Sequence, residues 1–390
     1  MNLPTESLKQ DMITWRHDIH KYPELGFNEI RTCKLVAQLL TSFGLKVYES
    51  FGKTAVVAHL EKNKNKKLIA IRADMDALPI KEKTSLHYQS QNTNIMHACG
   101  HDGHTATLLG TAKFLSEDES FDGNILFVFQ PDEENGGGAR VMIKNGLFEQ
   151  FKISEIYALH NMPGMPVGYF ATRENTITGS ESAFEIEVQS KGGHSALPNM
   201  GGDALLTASQ IVNSLQTIVS RKVDPRKNAV FSITEFKTNG KKNILASKAN
   251  LKGDTRCLDE ETKSVIQYEL KKICNGIAAA NNAICSVKFE TNFPITINSP
   301  IPTKRITKCL KDKFGDKRVE ANCEPMLFSE DFSFMAAQVP GCFILIGNGT
   351  SGANAKPLHS PYFDFNDDIL TLGSSAWVHL AKMYSEITIF

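Results

Sequence analysis

The 390-residue sequence has no surplus of charge of either sign: 43 Lys and Arg stand against 43 Asp and Glu. Without a basic surplus there is little to attract a phosphate backbone, so nucleic acid is not an expected partner. No apolar run approaches the roughly 18–20 residues of a membrane-crossing helix, and no membrane partner is expected. The opening MNLPTESLKQDMITW is polar and lacks a basic-then-apolar leader pattern; the expected location is cytoplasmic. There is no CxxC, and the eight cysteines (Cys33, Cys99, Cys257, Cys274, Cys285, Cys309, Cys323 and Cys342) are scattered. In a reducing compartment most of them read as plain buried thiols. Internal repeats and low-complexity segments are also missing, and the length suits two or three domains of roughly 100–200 residues.

What is present is concentrated. MHACGHDGHTATLLG, residues 96–110, holds three of the chain's 11 histidines, His97, His101 and His104, with Cys99 and Asp102 between them. Around it runs an alternation of short branched-apolar segments and helical patterns. Helices are expected over 6–21, 31–43, 105–115 and 139–145. The apolar runs LIAI, NILFVF and EIYALH end in the polar clusters RADMDALP, QPDEENGGG and NMPG. This alternation predicts an open α/β sheet flanked by helices, and such sheets bind ligands outside the carboxyl ends of their strands.

The pattern changes near Thr178. SAFEIEVQSKGGHSALP reads as strand and loop, and 204–219 as an apolar-periodic helix. AVFSITEF and ANLKGDTRCL read as strands, 260–281 as a long helix, and CSVKFETNF as a last strand. This βαββαβ order predicts a compact two-layer α+β unit. The expected organisation is a catalytic domain with a mixed sheet, made of 1–177 and 294–390, with a smaller domain, 178–293, inserted in it.

Divalent metals take deprotonated thiolate, neutral imidazole or carboxylate ligands. Cys99, His101, Glu133, Glu134, His160 and His359 supply these types, all at expected strand ends or loops. Taken singly, each has an ordinary reading: a buried thiol, a solvated carboxylate pair, a core histidine, a surface-loop histidine. Their recurrence at successive strand ends of one sheet favours a common site.

The motifs RADMDALP, MHACGHDGHT, QPDEENGGGA, LHNMP, GGHSALP, SEDFSF and LHSPYFDFND, in this order, closely resemble those of the aminoacylase and hippurate-hydrolase amidohydrolases, a branch of the di-metal exopeptidases. The resemblance covers essentially the whole chain. It implies metal-dependent hydrolysis of N-acyl or N-aroyl amino acids, with a small-molecule substrate. It implies two divalent ions held by Cys99, His101, Glu134, His160 and His359, with Glu133 as general base. It makes the inserted domain a lid and dimerisation domain, the chain a homodimer, and His194 a donor to the substrate carbonyl in the partner's site. One thiolate, three imidazoles and one carboxylate suit zinc, and also nickel, cobalt or manganese. Asp102 and His104 are expected to cap and line the following helix, and His97 to be structural.

The chain departs from the family pattern in three places. The wider clan has His-x-Asp where this chain has Asp74-Met75-Asp76, so Asp76 is expected to support a ligand without being one. Asp132 adds a carboxylate before Glu133 and is expected to be exposed and inert. The lid loop reads NILAS, in which Asn243 remains a donor to substrate. Arg256, at the end of a lid strand, suits either a clamp on a substrate carboxylate or an interface ion pair. Two other activities are open to such a chain: deacetylation of an N-acetyl-diaminopimelate-type intermediate, which asks for a further charged clamp, and non-catalytic binding, which loss of a ligand or of the base would favour. No ligand or base is lost.

Overall fold

A computed structural model describes residues 5–386. They divide into two compact units, one within Met1–Ile177, Thr296–Glu324 and Asp331–Phe390, the other comprising Thr178–Ile295 and Pro325–Glu330.

The larger unit is built on an eight-stranded mixed sheet in the order Lys46–Tyr48, Val56–Glu61, Asn124–Gln130, Leu68–Asp74, Ile153–Pro163, Gly341–Gly349, Phe170–Ala171, Val319–Glu320. Its four central strands, Asn124–Gln130 to Gly341–Gly349, run parallel. All seven residues of Leu68–Asp74 and all nine of Gly341–Gly349 are buried. Continuous burial is what strands covered on both faces require, and it explains why these runs do not alternate. Parallel strands also put their carboxyl ends on one edge, so the segments after Asp74 and Gln130 and the end of Ile153–Pro163 meet there. His160 lies inside this last strand, which continues to Pro163, past the expected end of the run.

Helix His101–Glu117 packs on this sheet and against helices Glu6–Lys21 and Asp368–Ser385. Its first twelve residues, His101 to Ala112, are all buried. The helix begins at His101, four residues before the expected start, because the tertiary enclosure outweighs the weak local signal of its polar first turn. Helix Glu6–Lys21 forms where the sequence predicts it, with Thr5 as N-cap and its Oγ1 accepting the Leu8 N–H at 3.2 Å.

The smaller unit is a four-stranded antiparallel sheet in the order Ala229–Thr238, Lys248–Cys257, Ser180–Gln189, Ile284–Phe293. Ser180–Gln189 alternates between buried and half-buried residues and ends on the exposed Gln189, as a sheet with one covered face demands. Phe184, Ile186 and Val188 pack with Ile211 and Leu215 of helix Ala204–Leu215 and with Ile266 and Leu270 of helix Glu260–Ala280. The two outer strands leave their far edges unpaired in the sheet.

Candidate metal centre

The site grows from the end of strand Leu68–Asp74. Asp74 is fully buried and receives Arg72 Nη1 at 2.7 Å and His104 Nδ1 at 2.6 Å. Burial pushes its carboxyl up, but His101, Arg72 and His104 outweigh burial and hold it well below the usual range. Two residues on, Asp76 reaches in two directions. Its carbonyl oxygen and Oδ1 lie 2.9 and 3.2 Å from His101 Nδ1, and Oδ2 accepts the Glu134 N–H at 3.0 Å. With Nδ1 donating to these oxygens, His101 turns Nε2 toward the site, the arrangement usual behind a ligating histidine.

Gly100 makes the approach of this segment possible. Its φ is +98°, and a Cβ there would meet Asn161 Oδ1 at 2.2 Å. It is also the residue at the N-terminal boundary of helix His101–Glu117. Asp102 does not cap this helix: its carboxylate is buried and takes Arg16 and His20. His104 lines the site as expected, bridging Asp74 and Asn161. His97 is buried, neither ring nitrogen has a hydrogen-bond partner among the described residues, and burial lowers its pKa to about 3.

After strand Asn124–Gln130 the chain turns through Pro131 to Gly138. Asp132 is buried, at φ +48°, with Oδ1 accepting from Asn135 at 2.7 Å. The expectation of exposure is therefore wrong: the glycines that follow fold the loop back over it, and a Cβ at Gly137 would meet its Oδ2 at 2.2 Å. Glu133 is buried beside it, and its Oε1 accepts the Asp331 N–H at 3.3 Å. Asp331 is held in turn by Arg72 and Gln130, at 2.9 and 2.7 Å. This Arg72–Gln130–Asp331 network was missed in the sequence. Its signals were one polar residue near the end of each of two apolar strands, Arg72 and Gln130, and a short SED motif.

The two remaining imidazoles arrive from strand Ile153–Pro163 and from the loop after Gly341–Gly349. His160 Nδ1 donates to the Asn161 carbonyl at 2.7 Å, which leaves the Nε2 lone pair 3.4 Å from Cys99 Sγ. Burial, with His104 nearby, keeps this ring well below the usual histidine range and neutral. His359 stands at φ +62°, its N–H bound to the Ala98 carbonyl at 2.8 Å and its Nε2 3.3 Å from Glu134 Oε1. A non-glycine residue in that region costs of order 1 kcal/mol or more and is typical of functional sites.

Cys99, His101 and His160 thus offer ligand atoms within 4.8 Å of one another, and so do Cys99, Glu134 and His359; Cys99 belongs to both sets. Glu133 joins a third set with His101 and Glu134. The residues fit a cation. Among the described residues, the buried His101 Nε2 has no hydrogen-bond partner, and a protein interior rarely leaves such an atom orphaned. Burial would lower the His101 pKa, but Asp74, Asp76 and Glu134 outweigh it and raise it to about 10: the cluster draws in positive charge. Burial, then Glu134 and Glu133, push the Cys99 thiol well above its ordinary value. A coordinating divalent ion deprotonates such a thiol outright.

The residues expected on the smaller unit lie in that unit. His194 is exposed, pairs in register with Ile244 and accepts the Ala196 N–H on Nδ1 at 3.1 Å. Asn243 is exposed. Arg256 is engaged by Asp254 at 2.6 Å, Glu181 at 2.9 Å and Ser329 at 2.8 Å, all within its own unit.

Residues 70–383 match the model of Peptidase family M20/M25/M40. The chain is 40% identical to a hippurate hydrolase of Campylobacter jejuni, over 98% of this chain and 100% of that one. It is 33% identical to an N-acetylcysteine deacetylase of Bacillus subtilis, over 96% and 97%. Among solved structures, the Bacillus subtilis YXEP protein, described as a dinuclear metal binding peptidase from the M20 family, superposes with a TM-score of 0.85 at 29% identity, covering 97% of this chain and 99% of that one.

Proposed function

The chain belongs to peptidase family M20/M25/M40, a family of hydrolytic enzymes, and from that membership we propose that it is a di-metal amidohydrolase that cleaves N-acyl or N-aroyl amino acids, hippurate among them, into a carboxylic acid and a free amino acid. The observation that carries this reading is the convergence of Cys99, His101, Glu134, His160 and His359, which include a buried imidazole nitrogen, His101 Nε2, with no hydrogen-bond partner among the described residues. These five residues would hold two divalent ions, zinc, manganese, cobalt or nickel, with the Cys99 sulfur common to both sets. When bound, such ions supply a water of lowered pKa and a polarised scissile carbonyl.

The chain's own residues do the rest. Glu133 takes the proton of the attacking water and delivers it to the leaving amine. Its neighbour Glu134 is turned toward His101 and His359, while Glu133 is kept beside them by the Asp331 N–H. His194, on the smaller unit acting as lid, donates to the carbonyl oxygen as it gains charge. Asn243 donates to substrate. For Arg256 to take a substrate carboxylate it must release Glu181 or Asp254.

Lid action of this kind goes with a homodimer formed through the smaller unit. Its unpaired edge strand Ala229–Thr238 and the exposed Leu205 and Leu206 of helix Ala204–Leu215 are the surfaces a second copy would cover. Sedimentation at working concentration should give twice the chain mass; a monomer would remove the dimer from the proposal.

The activity is tested with metal-reconstituted protein against hippurate, N-acetylmethionine and N-acetyl-diaminopimelate. Hydrolysis of the first two is expected, with loss of turnover in strong chelator and recovery on adding divalent ions. Preference for the third would move the substrate class to a biosynthetic deacetylation. Full turnover with no bound metal would overturn the proposal.

A further inference from the structure

Helix Glu6–Lys21 buries Leu8, Met12, Arg16, Ile19 and His20 along one face. The stripe is apolar until it reaches a guanidinium that is 0% exposed. Burying a cation costs several kcal/mol unless it is fully paired, and Arg16 is paired three times over. Its Nη1 lies 3.2 Å from Asp102 Oδ2 and 3.3 Å from Asp364 Oδ1, and its Nε 2.5 Å from Asp367 Oδ1. The Tyr88 ring lies 4.7 Å from the guanidinium carbon, and its hydroxyl donates to Asp364.

The partners fall on two segments that matter. Asp102 follows His101 in the first turn of its helix. Asp364 and Asp367 close the loop that carries His359. The His359 N–H bonds the Ala98 carbonyl and the Lys83 N–H the Pro361 carbonyl, and His359 holds a left-handed conformation there that needs outside support. Phe363 and Phe365 bury the far end of the loop in the core, and Phe365 packs on Gly103 of the His101 helix; the carboxylates beside them add a charged link between the two segments.

We propose that Arg16 is a positioning residue: a buried clamp that joins the His101 helix to the His359 loop and thereby sets the spacing of the two metal positions. The proposal rests on the ligand assignment made above. Arg16 touches no ligand and acts through Asp102 and Asp364. Lysine, with a single ammonium, cannot hold the same three carboxylates in a planar fork.

The test is titration of zinc into chelator-stripped protein, read by competition with a chromophoric chelator, together with melting temperature. The variants are Arg16→Met, Arg16→Lys and Asp364→Asn. Arg305→Met is the control, because the Arg305–Glu155 pair, at 3.1 Å, is another partly buried ion pair of the same unit with no part in the site. The parent is expected to take up two ions. Supports behind metal ligands are typically worth about 10–100-fold in affinity, so Arg16→Met and Asp364→Asn should lose roughly that much, with Arg16→Lys close to Arg16→Met. Arg305→Met should melt lower yet bind zinc like the parent. If circular dichroism shows Arg16→Met unfolded, Asp364→Asn decides. Parent-like affinity in folded Asp364→Asn or Arg16→Met, with two ions bound to the parent, overturns the clamp alone. A parent that takes up no zinc overturns the ligand assignment and the clamp with it.

Discussion

Asp76 holds His101 and Glu134 at once: its carbonyl oxygen and Oδ1 lie 2.9 and 3.2 Å from the imidazole Nδ1, and its Oδ2 takes the backbone N–H of Glu134 at 3.0 Å. One carboxylate therefore sets the orientation of two proposed ligands that lie on different segments. Asp76→Ala removes the side-chain half of this support and leaves the backbone carbonyl. A loss of about 10–100-fold in metal affinity is expected, measured by chelator competition. An unchanged affinity would show that the Asp76 carbonyl alone aligns His101.

Glu133→Gln should fold and bind metal like the parent, because the amide oxygen can still accept the Asp331 N–H that holds Oε1. It cannot accept a proton. A fall in kcat of about 10²–10⁴-fold is expected, the usual size of a lost general base. Activity within a few-fold of the parent would move the role elsewhere. Asp132, buried next to it and raised in pKa mainly by that burial, would be examined first.

His194→Ala should lower kcat by roughly 10²–10³, the usual size for one lost donor to a developing oxyanion, with a much smaller change in KM. The residue is exposed, on a two-residue strand that follows Gly192 at φ +68°, so its removal should leave the melting temperature nearly unchanged. The opposite pattern, parent-like kcat with a lower melting point, assigns it a packing role.

The pH dependence of stability should carry a signature of His20. Burial and Arg16 push its pKa down, but Asp102 and Glu82 outweigh them and raise it from 6.5 to about 9. Tyr88 and His97 are its other ring neighbours. A histidine with a raised folded pKa stabilises fully below its unfolded value and loses that contribution as the pH rises through the folded one. His20→Gln should therefore melt below the parent at pH 6, and the gap should close between about pH 6.5 and 9. Melting curves of both proteins from pH 6 to pH 10 check this; a gap that stays constant would show that the charged form of His20 contributes nothing.

The linear sequence determined which segments carry chemistry. Apolar runs long enough to be buried strands ended in polar clusters, and the parallel sheet placed those ends on one edge, so the clusters that hold Asp74, Glu133, Glu134 and His160 could be placed from pattern, while the roles of Glu133, Glu134 and His160 rested on the family resemblance. Helix Glu6–Lys21 was likewise legible, because its cap and its periodicity are local. Tertiary structure decided what those residues do to one another. That Cys99 belongs to two ligand sets, that Asp102 receives Arg16 instead of capping its own helix, and that Asp132 is buried under a glycine loop all depend on contacts between distant segments. Arg16 shows the limit most clearly. It lies on the buried face of a helix, and nothing in the sequence names what would pair it there. Only the fold brings Asp102 and Asp364, 86 and 348 residues away, close enough to make its burial tolerable, because periodicity reports which side of a helix is covered and carries no information about what covers it.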